Sequence, residues 1–426
     1  MKVKISRLKE ILVVMLFVLQ MIPRNSKYKY WGIVLVFLLI TLLDRGMKTR
    51  LLSSRDWTFL LYPITYIICN IVHPYNSMAT QIEYFLISYF LTRYVILNGV
   101  RSREAFNKII SAIILIFSIY SIFGIVEAFT EYNIFDAVFN RYVETGYAAN
   151  SIRYGIMRGH GVCTISINNG ILLSMAWAIA GYRLFNLKVG KIRWTICYIL
   201  IGVECCLVLS RASIAFGVIV QCLLALKCGY KWILQRLFVG VLLVTPVILL
   251  MSNKLTQFIS AIVQMFLPIL AVFNDSFYKY INTAEGIGSI GQRLSLWGYI
   301  FDSVKDKILF GWGYSAQFSV MIGNFNKTSI EVHWLMLLFQ AGLVGIAGFI
   351  CYQGGCLKSI CATKTSIGEY RVGFSYVMLI VTVGYFVVLF TCAGFEDLQM
   401  FYLLMALFEA YKCLENEHPV KYTKEN

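Results

Sequence analysis

Residues 109–128 read IISAIILIFSIYSIFGIVEA, a continuous run of predominantly apolar residues. The run is long enough to cross the hydrocarbon layer of a membrane as a helix. Its apolar residues are continuous and do not alternate with polar ones, which excludes the strand of a membrane barrel. Because a backbone in lipid must satisfy its own hydrogen bonds, the segment is predicted to be a transmembrane helix.

Similar apolar runs recur along almost the whole chain of 426 residues, of which 59% are hydrophobic and 14% charged. This is more apolar surface than one soluble core needs. The predicted fold is all-α, a single polytopic integral membrane domain over residues 1–426 with about twelve transmembrane helices. The candidate spans are 11–23, 31–43, 57–73, 79–97, 109–128, 167–182, 194–210, 212–226, 237–252, 332–352, 372–391 and 398–411.

The positions of lysine and arginine predict the orientation, because these residues resist translocation in short loops. With the N-terminus in the cytoplasm, 24 of the 38 lysines and arginines fall in cytoplasmic segments. The short external turns then hold only Arg24, Lys27, Lys29 and Arg211. Both termini are therefore expected in the cytoplasm. The cations that give the net charge of +16 are dispersed between helices, which argues against a nucleic-acid partner.

Two long external segments remain, 129–166 and 253–331, and loops of this length in a membrane protein are usually functional. Near the end of the second loop, apolar residues follow helical spacing from Arg293 onward. They predict a helix that rests on an apolar surface, beside which a lipid tail can lie. The residues of this face are Leu294, Trp297, Ile300, Phe301 and Val304.

The second loop also contains an apolar stretch at residues 255–273. Thr256, Ser260 and Gln264 recur there at every fourth position, and Pro268 interrupts the run. This pattern favours an amphipathic helix lying on the outer leaflet. The alternative is a true span, which would move the remainder of the loop into the cytoplasm.

Gly286, Gly288 and Gly291 formally match the dinucleotide-binding pattern G-x-G-x-x-G. No strand precedes them and no βαβ unit surrounds them, so the structural context of that motif is missing. We interpret the three glycines as a flexible turn.

Charged residues at external turns are stronger candidates for function. Arg211, in LVLSRASIAFG, lies at a tight turn between two spans, where a guanidinium is costly without a partner. The alternative is an arginine that snorkels at a helix end. Glu204 precedes it by about two helical turns on the same predicted helix face, and is either a substrate contact or an internal counter-ion.

Arg158 and His160 stand together in the sequence RGHG, where the small flanking residues would let a ligand approach the backbone. A solvated loop pair is the alternative. Arg158, Arg211 and Arg293 together offer paired guanidinium donors suited to a diphosphate. His333, anchored at the start of a span, has the best setting for a general base. The alternative is an interfacial histidine that is hydrogen-bonded by the backbone. The sequence contains no DxD pair, which argues against a metal-chelated nucleotide sugar as donor.

Three stretches between Gly288 and Gly345, together with two earlier motifs, resemble the O-antigen ligase and O-antigen polymerase family of membrane proteins. The three stretches are GSIGQRLSLWGYIF, ILFGWGYSAQF and VHWLMLLFQAGLVG. SRAS at 210–213 is similar to the family's earlier Ser-Arg motif, and RGHG to an Arg-Gly element before its middle helices. The chain departs from the family at Trp334, where an asparagine often follows the histidine.

The resemblance implies a glycosyltransferase in the inner membrane of a bacterium that uses undecaprenyl-diphosphate-linked glycans at the outer face. It carries the family's arginines over to Arg211, Arg293 and Arg158 and its histidine to His333. From their positions in the sequence, His160, Glu204 and Trp297 join Arg158 as substrate-binding candidates. The expected activity is that of a polysaccharide polymerase for O-antigen, capsule or exopolysaccharide, without a metal or other cofactor.

Two alternatives stand beside the polymerase. One is a ligase of the same family that transfers the glycan to lipid A core. The other is a flippase or transporter of lipid-linked oligosaccharides, which Glu204 favours. The expected partners are undecaprenyl-diphosphate-linked oligosaccharides and membrane lipid, with a flippase and a chain-length regulator as candidate protein partners.

Overall fold

The fold is taken from a computed structural model, which describes about seven-tenths of the chain, in segments separated by gaps. The longest described segments run over 84–139, 165–187, 191–228, 288–313, 332–363, 372–392 and 395–417. Shorter ones are 2–22, 30–44, 50, 58–72, 152–153, 156–163, 260, 263–264, 267, 274–280, 316, 318–322, 325–327 and 330. The predicted span 237–252 lies outside the described residues.

The described residues are mostly helical, as the all-α prediction requires. The helices are α1 Lys2–Val18, α2 Trp31–Leu43, α3 Thr58–Val72, α4 Thr92–Gly99, α5 Arg103–Thr130, α6 Ile134–Phe139, α7 Ser166–Asn186, α8 Lys191–Leu207, α9 Arg211–Cys228, α10 Gly288–Val304, α11 His333–Cys361, α12 Phe374–Val388 and α13 Phe395–Glu417. A π-helical segment, Tyr84–Leu91, leads into α4. Antiparallel hairpins are formed by β1 Ile152–Arg153 with β2 Ile156–Met157, and by β3 Val320–Ile322 with β4 Phe325–Lys327.

Within the described part of the chain, α5 and α11 are long and apolar enough to cross a membrane. They have 28 and 29 residues, so the length of each helix exceeds the hydrocarbon thickness of about 30 Å. Shorter apolar helices cover 31–42, 59–69 and 374–388. These apolar helices support association with a membrane, and the count of twelve spans stays a prediction.

Helix α5 shows how the sequence builds such an element. The Ser102 side chain caps its start by accepting a hydrogen bond from the amide of Ala105, at 3.1 Å. One face is buried in the bundle, whereas Ile119, Ile122 and Val126 on the other face are about half exposed. Exposed aliphatic side chains at helical spacing suit a lipid environment.

Close helix packing depends on small residues at the interfaces. A Cβ on Gly170 of α7 would collide with Ser213 of α9, and one on Gly348 of α11 would collide with Thr65 of α3. Interfaces of this kind are typical of helices that pack within membranes, because small residues let backbones approach.

One end of the bundle is closed by charged and aromatic contacts, and we call it the Arg93 end. Arg93 pairs there with Glu409 of α13, and both side chains are buried. The ring of Phe374 at the start of α12 contacts the rings of Phe106 and Tyr411, with centroids 5.0 and 5.5 Å away. These contacts join the start of α5, the start of α12 and the end of α13.

Helix α11 is interrupted at Gly342, where the backbone angles are φ 62° and ψ −160°. The segment 308–313, which reads ILFGWG, fills the break. The amides of Trp312 and Gly313 donate to carbonyls before the break at 2.8 and 2.9 Å, and amides after it donate to carbonyls of the same segment. A Cβ on Gly342 would collide with the Leu309 carbonyl, so the sequence needs glycine here.

Two expectations about the second loop can be compared with the structure. The turn predicted at Gly286, Gly288 and Gly291 is wrong for the last two residues, because α10 begins at Gly288. Of residues 255–273, only four are described, and all are helical, so the choice between an interfacial helix and a span lies outside the described residues.

Candidate functional site

The RGHG segment, residues 158–161, lies over the turn between α8 and α9. Strand β2 leads into it, and Ile156 of that strand packs with Ala128 of α5 and with Leu209 of the turn. The Arg158 Nε donates a hydrogen bond to the carbonyl of Val208 at 3.2 Å. Arg158 is thereby held at the turn that leads directly into Arg211.

The turn itself is tight and strained. Helix α8 ends at Leu207, Leu209 adopts a left-handed conformation with φ 50°, and α9 begins at Arg211. The Ser213 hydroxyl donates to the Ile167 carbonyl at 3.0 Å and tethers the start of α9 to α7. Non-glycine residues in this conformation tend to cluster at functional sites.

Glu204 does not have the relation to Arg211 that the sequence suggested. Their placement on one helix face is wrong, because α8 ends between them and the chain reverses. The Glu204 carboxylate is fully buried, accepts a hydrogen bond from Asn169 Nδ2 at 3.3 Å and packs against Gly124 of α5. Its expected contact with a substrate stays a prediction, and its observed contact is with the residue that supports the RGHG segment.

His160 is the centre of a polar cluster. Its Nδ1 lies 3.0 Å from Glu127 Oε1 on α5, and its Nε2 lies 2.9 Å from Asp136 Oδ2 on α6. Asn133 Nδ2 lies 3.1 Å from the same Nε2 and donates to the Gly161 carbonyl at 2.9 Å. The imidazole therefore links the end of α5 to the short helix that follows it.

The two carboxylates decide the charge of this imidazole. Burial by itself lowers the pKa of His160, but the hydrogen bonds and charges of Asp136 and Glu127 outweigh it and raise that pKa to about 9. At neutral pH the cluster thus holds an imidazolium between two carboxylates. His160 is an ion-paired residue, and the alternative of a solvated loop pair is wrong, since its side chain is 14% exposed.

Of the two glycines that flank His160, Gly161 is required by close packing. Gly161 has φ +54°, and a Cβ on it would collide with the Tyr120 hydroxyl of α5. Gly159 lies against the Gly124 carbonyl. The expectation that small residues would open the backbone to a ligand is therefore wrong for Gly161, because its open side is occupied by α5.

The second group of candidates lies on α10 and α11. Arg293 is part of α10, but its side chain lies outside the described residues. Trp297 is partly buried and stacks on Phe301, with ring centroids 6.1 Å apart. Ile300 and Val304 are fully buried as predicted, whereas Phe301 is 47% exposed, so the buried face is narrower than the sequence pattern indicated.

His333 begins α11 and is buried, with 1% of its surface exposed. Its amide donates to the carbonyls of Leu389 and Cys392, both at 3.2 Å, beyond the end of α12. Its ring lies 5.0 Å from that of Phe349. Among the described residues, neither ring nitrogen has a hydrogen-bond partner.

The structure connects Arg211 and His333 through α12. Phe216, in the second turn of α9, packs closely against Gly384 of α12. A Cβ on Gly384 would collide with the Phe216 ring. Carbonyls that begin a little over one helical turn after Gly384, just beyond the end of α12, accept hydrogen bonds from the His333 amide. Arg158, Arg211 and His333 are thus brought to the same end of the bundle, on neighbouring elements, opposite the Arg93 end.

Sequence reasoning missed the residues that hold the RGHG segment: Tyr120, Glu127, Asn133, Asp136 and Asn169. One signal was present for Glu127, which is a carboxylate near the end of an otherwise apolar span. The others became identifiable only when the fold placed them beside residues 159–162.

No family model and no curated protein matches this chain.

Proposed function

We propose that the protein is a polysaccharide polymerase at the outer face of a bacterial inner membrane, with about twelve spans and both termini in the cytoplasm. It would transfer a growing glycan from undecaprenyl diphosphate to a lipid-linked repeat unit. The motif resemblance supports this proposal, as do the apolar helices. The observation that carries it is the hydrogen bond from Arg158 to Val208, which holds one candidate arginine at the turn that begins with another.

The arginines have the chemistry that a departing diphosphate requires. Arg158 is held beside the start of α9, and the dipole of a helix favours an anion at its N-terminus. Arg211 opens that helix. Arg293 is assigned to the same task by the motif resemblance. Their paired donors would stabilise the negative charge that develops on the leaving group.

His333 would act as the general base. An acceptor hydroxyl oxygen attacks the anomeric carbon of the donor glycan, and its proton passes to a ring nitrogen of His333. The bond from the anomeric carbon to the phosphate oxygen breaks, and undecaprenyl diphosphate leaves with the bonding electron pair. The two ring nitrogens lack partners among the described residues, so they are available to a hydroxyl once neighbouring side chains admit it.

A ligase that transfers the glycan to lipid A core would use the same donor and the same leaving group. The two activities differ only in the acceptor. We place Trp334 at the acceptor side, because it follows His333 directly and its ring packs on Phe390, with centroids 5.2 Å apart. Phe390 is 53% exposed.

The interrupted helix α11 favours a second candidate, a transporter of lipid-linked oligosaccharides, because transporters often use broken helices. In such proteins an ionisable residue usually lies at the break. Here the broken backbone is bonded by the 308–313 segment and by the Cys69 thiol, which donates to the Ala341 carbonyl at 3.1 Å. Glu204 lies instead on α8, bonded to Asn169. These contacts favour the polymerase.

The test uses the purified full chain reconstituted in lipid vesicles with lipid-diphosphate repeat units as the only donor. Chain growth is expected in the presence of EDTA, because arginines take the place of a metal. Loss of chain growth in EDTA that magnesium or manganese restores would contradict the metal-independent mechanism. Transfer of repeat units across the vesicle membrane without chain growth would identify the transporter.

A further inference from the structure

Glu127 occupies a position that the proposed function leaves unexplained. Its carboxylate, 1% exposed, accepts hydrogen bonds from the amides of His160 and Gly161, both at 3.1 Å, in addition to the His160 imidazole. A buried carboxylate is costly unless donors surround it. Each donor here belongs to the RGHG segment.

Tyr120 and Asn169 complete this support from two further positions. The Tyr120 hydroxyl accepts from the amide of Val162 at 3.1 Å and donates to Asn169 Oδ1 at 2.7 Å. Asn169 Nδ2 in turn donates to the Gly159 carbonyl at 3.2 Å. Every residue from 159 to 162 thus has a backbone group bonded to α5 or α7.

Arg158 comes directly before this fixed stretch. Its guanidinium would otherwise be the end of a flexible side chain on a loop, and holding such a side chain in one geometry costs rotamer entropy. We infer that Glu127 is a positioning residue which, with Tyr120 and Asn169, fixes the RGHG segment so that Arg158 meets a lipid-linked diphosphate. This inference rests on the proposed function and adds a residue to it.

A double-mutant cycle tests the inference on the full chain purified in detergent, with undecaprenyl diphosphate as the probe in equilibrium binding. Arg158→Ala is expected to weaken binding by about tenfold or more, the loss of a charged hydrogen-bonding group. Glu127→Gln removes a charge, presents an amide to the donors of residues 160 and 161, and should weaken binding to a similar degree. The double variant should bind no more weakly than Arg158→Ala, since Glu127 acts through Arg158.

Glu409→Gln is the matched control. Glu409 is also a buried glutamate on a helix, but it pairs with Arg93 at the far end of the bundle. We expect this variant to lower the unfolding temperature while the affinity for undecaprenyl diphosphate stays that of the unmodified protein. Hydrogen exchange at the amides of residues 160–162 provides a second readout, which should accelerate in Glu127→Gln and remain unchanged in Glu409→Gln.

The outcomes separate this inference from the proposed function. If the unmodified protein does not bind undecaprenyl diphosphate, both fail. If Arg158→Ala removes binding and Glu127→Gln leaves it intact, the inference alone fails. Additive losses in the double variant, or unchanged exchange at residues 160–162 in Glu127→Gln, would also overturn it, because Glu127 would then act independently of Arg158.

Discussion

His160 and His333 occupy opposite environments at the same end of the bundle. His160 lies between two carboxylates, and its side chain is partly exposed. His333 is buried with its ring against that of Phe349, and its ring nitrogens have no partner among the described residues. An imidazole that already has two ionic partners serves to fix structure, whereas one with open nitrogens can exchange a proton. The comparison is in line with the two roles we propose, positioning of the RGHG segment for His160 and proton transfer for His333.

Replacing each histidine by alanine should separate these roles and gives the largest expected effect. His333→Ala should lower the rate of chain growth by roughly a hundredfold or more, as the loss of a general base does, with little change in donor affinity. His160→Ala should act mainly on donor affinity, because it releases the segment that carries Arg158. Both are measured on reconstituted protein at matched abundance.

The two proposed roles would be contradicted if the two variants exchanged phenotypes. Full chain length from His333→Ala in a deletion strain would remove that residue from the reaction. A structural histidine would instead show lost expression in membranes, which immunoblotting at the time of the assay detects.

The arginines provide the next effect. Arg211→Lys and Arg293→Lys keep a positive charge but lose the paired donors of the guanidinium, so activity should fall about tenfold while the protein still inserts. Chain-length distribution on a gel is the measurement. Wild-type chains from both variants would show that charge alone suffices and that bidentate recognition plays no part.

Substitutions at two glycines test separately the packing of α11, which begins at His333, and that of the RGHG segment, which contains His160. Gly342→Ala places a Cβ against the Leu309 carbonyl on the His333 side, and Gly161→Ala places one against Tyr120 on the His160 side. Both residues have positive φ, so backbone strain from each substitution should cost about 1–3 kcal/mol of stability, and the collision adds to it. Gly354→Ala, in the same helix as Gly342 but with open space around it, is the control and should be nearly neutral. Thermal unfolding in detergent distinguishes them.

The pH dependence of stability gives the smallest effect. The folded-state pKa of His160 is raised to about 9 from the ordinary value of 6.5, so its stabilising contribution is complete below pH 6.5 and is lost as the pH rises through 9. The unfolding temperature of the unmodified protein should exceed that of His160→Gln at pH 6, and the difference should shrink by pH 10. A difference that stays constant with pH would show that the imidazolium is not the stabilising form.

The helical class of the fold was predictable from sequence, and the site only in part. Apolar run lengths identified α5 and α11, because a helix in lipid must be continuous and apolar. The break at Gly342 was not foreseen, since its cause is a segment about thirty residues away that bonds to it only in the folded chain. Glu204 was assigned to Arg211 by helical periodicity, which fails wherever a helix ends. The role of Glu127 depended on contacts with residues 160 and 161, which no local pattern reveals.

We propose that the candidate site faces the outside of the cell, and the accessibility of single cysteines tests this topology. Single substitutions Ile281→Cys, Phe325→Cys and Thr365→Cys are made in a cysteine-free background and treated with a membrane-impermeant maleimide on intact spheroplasts. We expect labelling at positions 281 and 325 and none at 365. The opposite pattern would mean that residues 255–273 span the membrane, and that the arginine of α10 lies in the cytoplasm, away from the proposed donor.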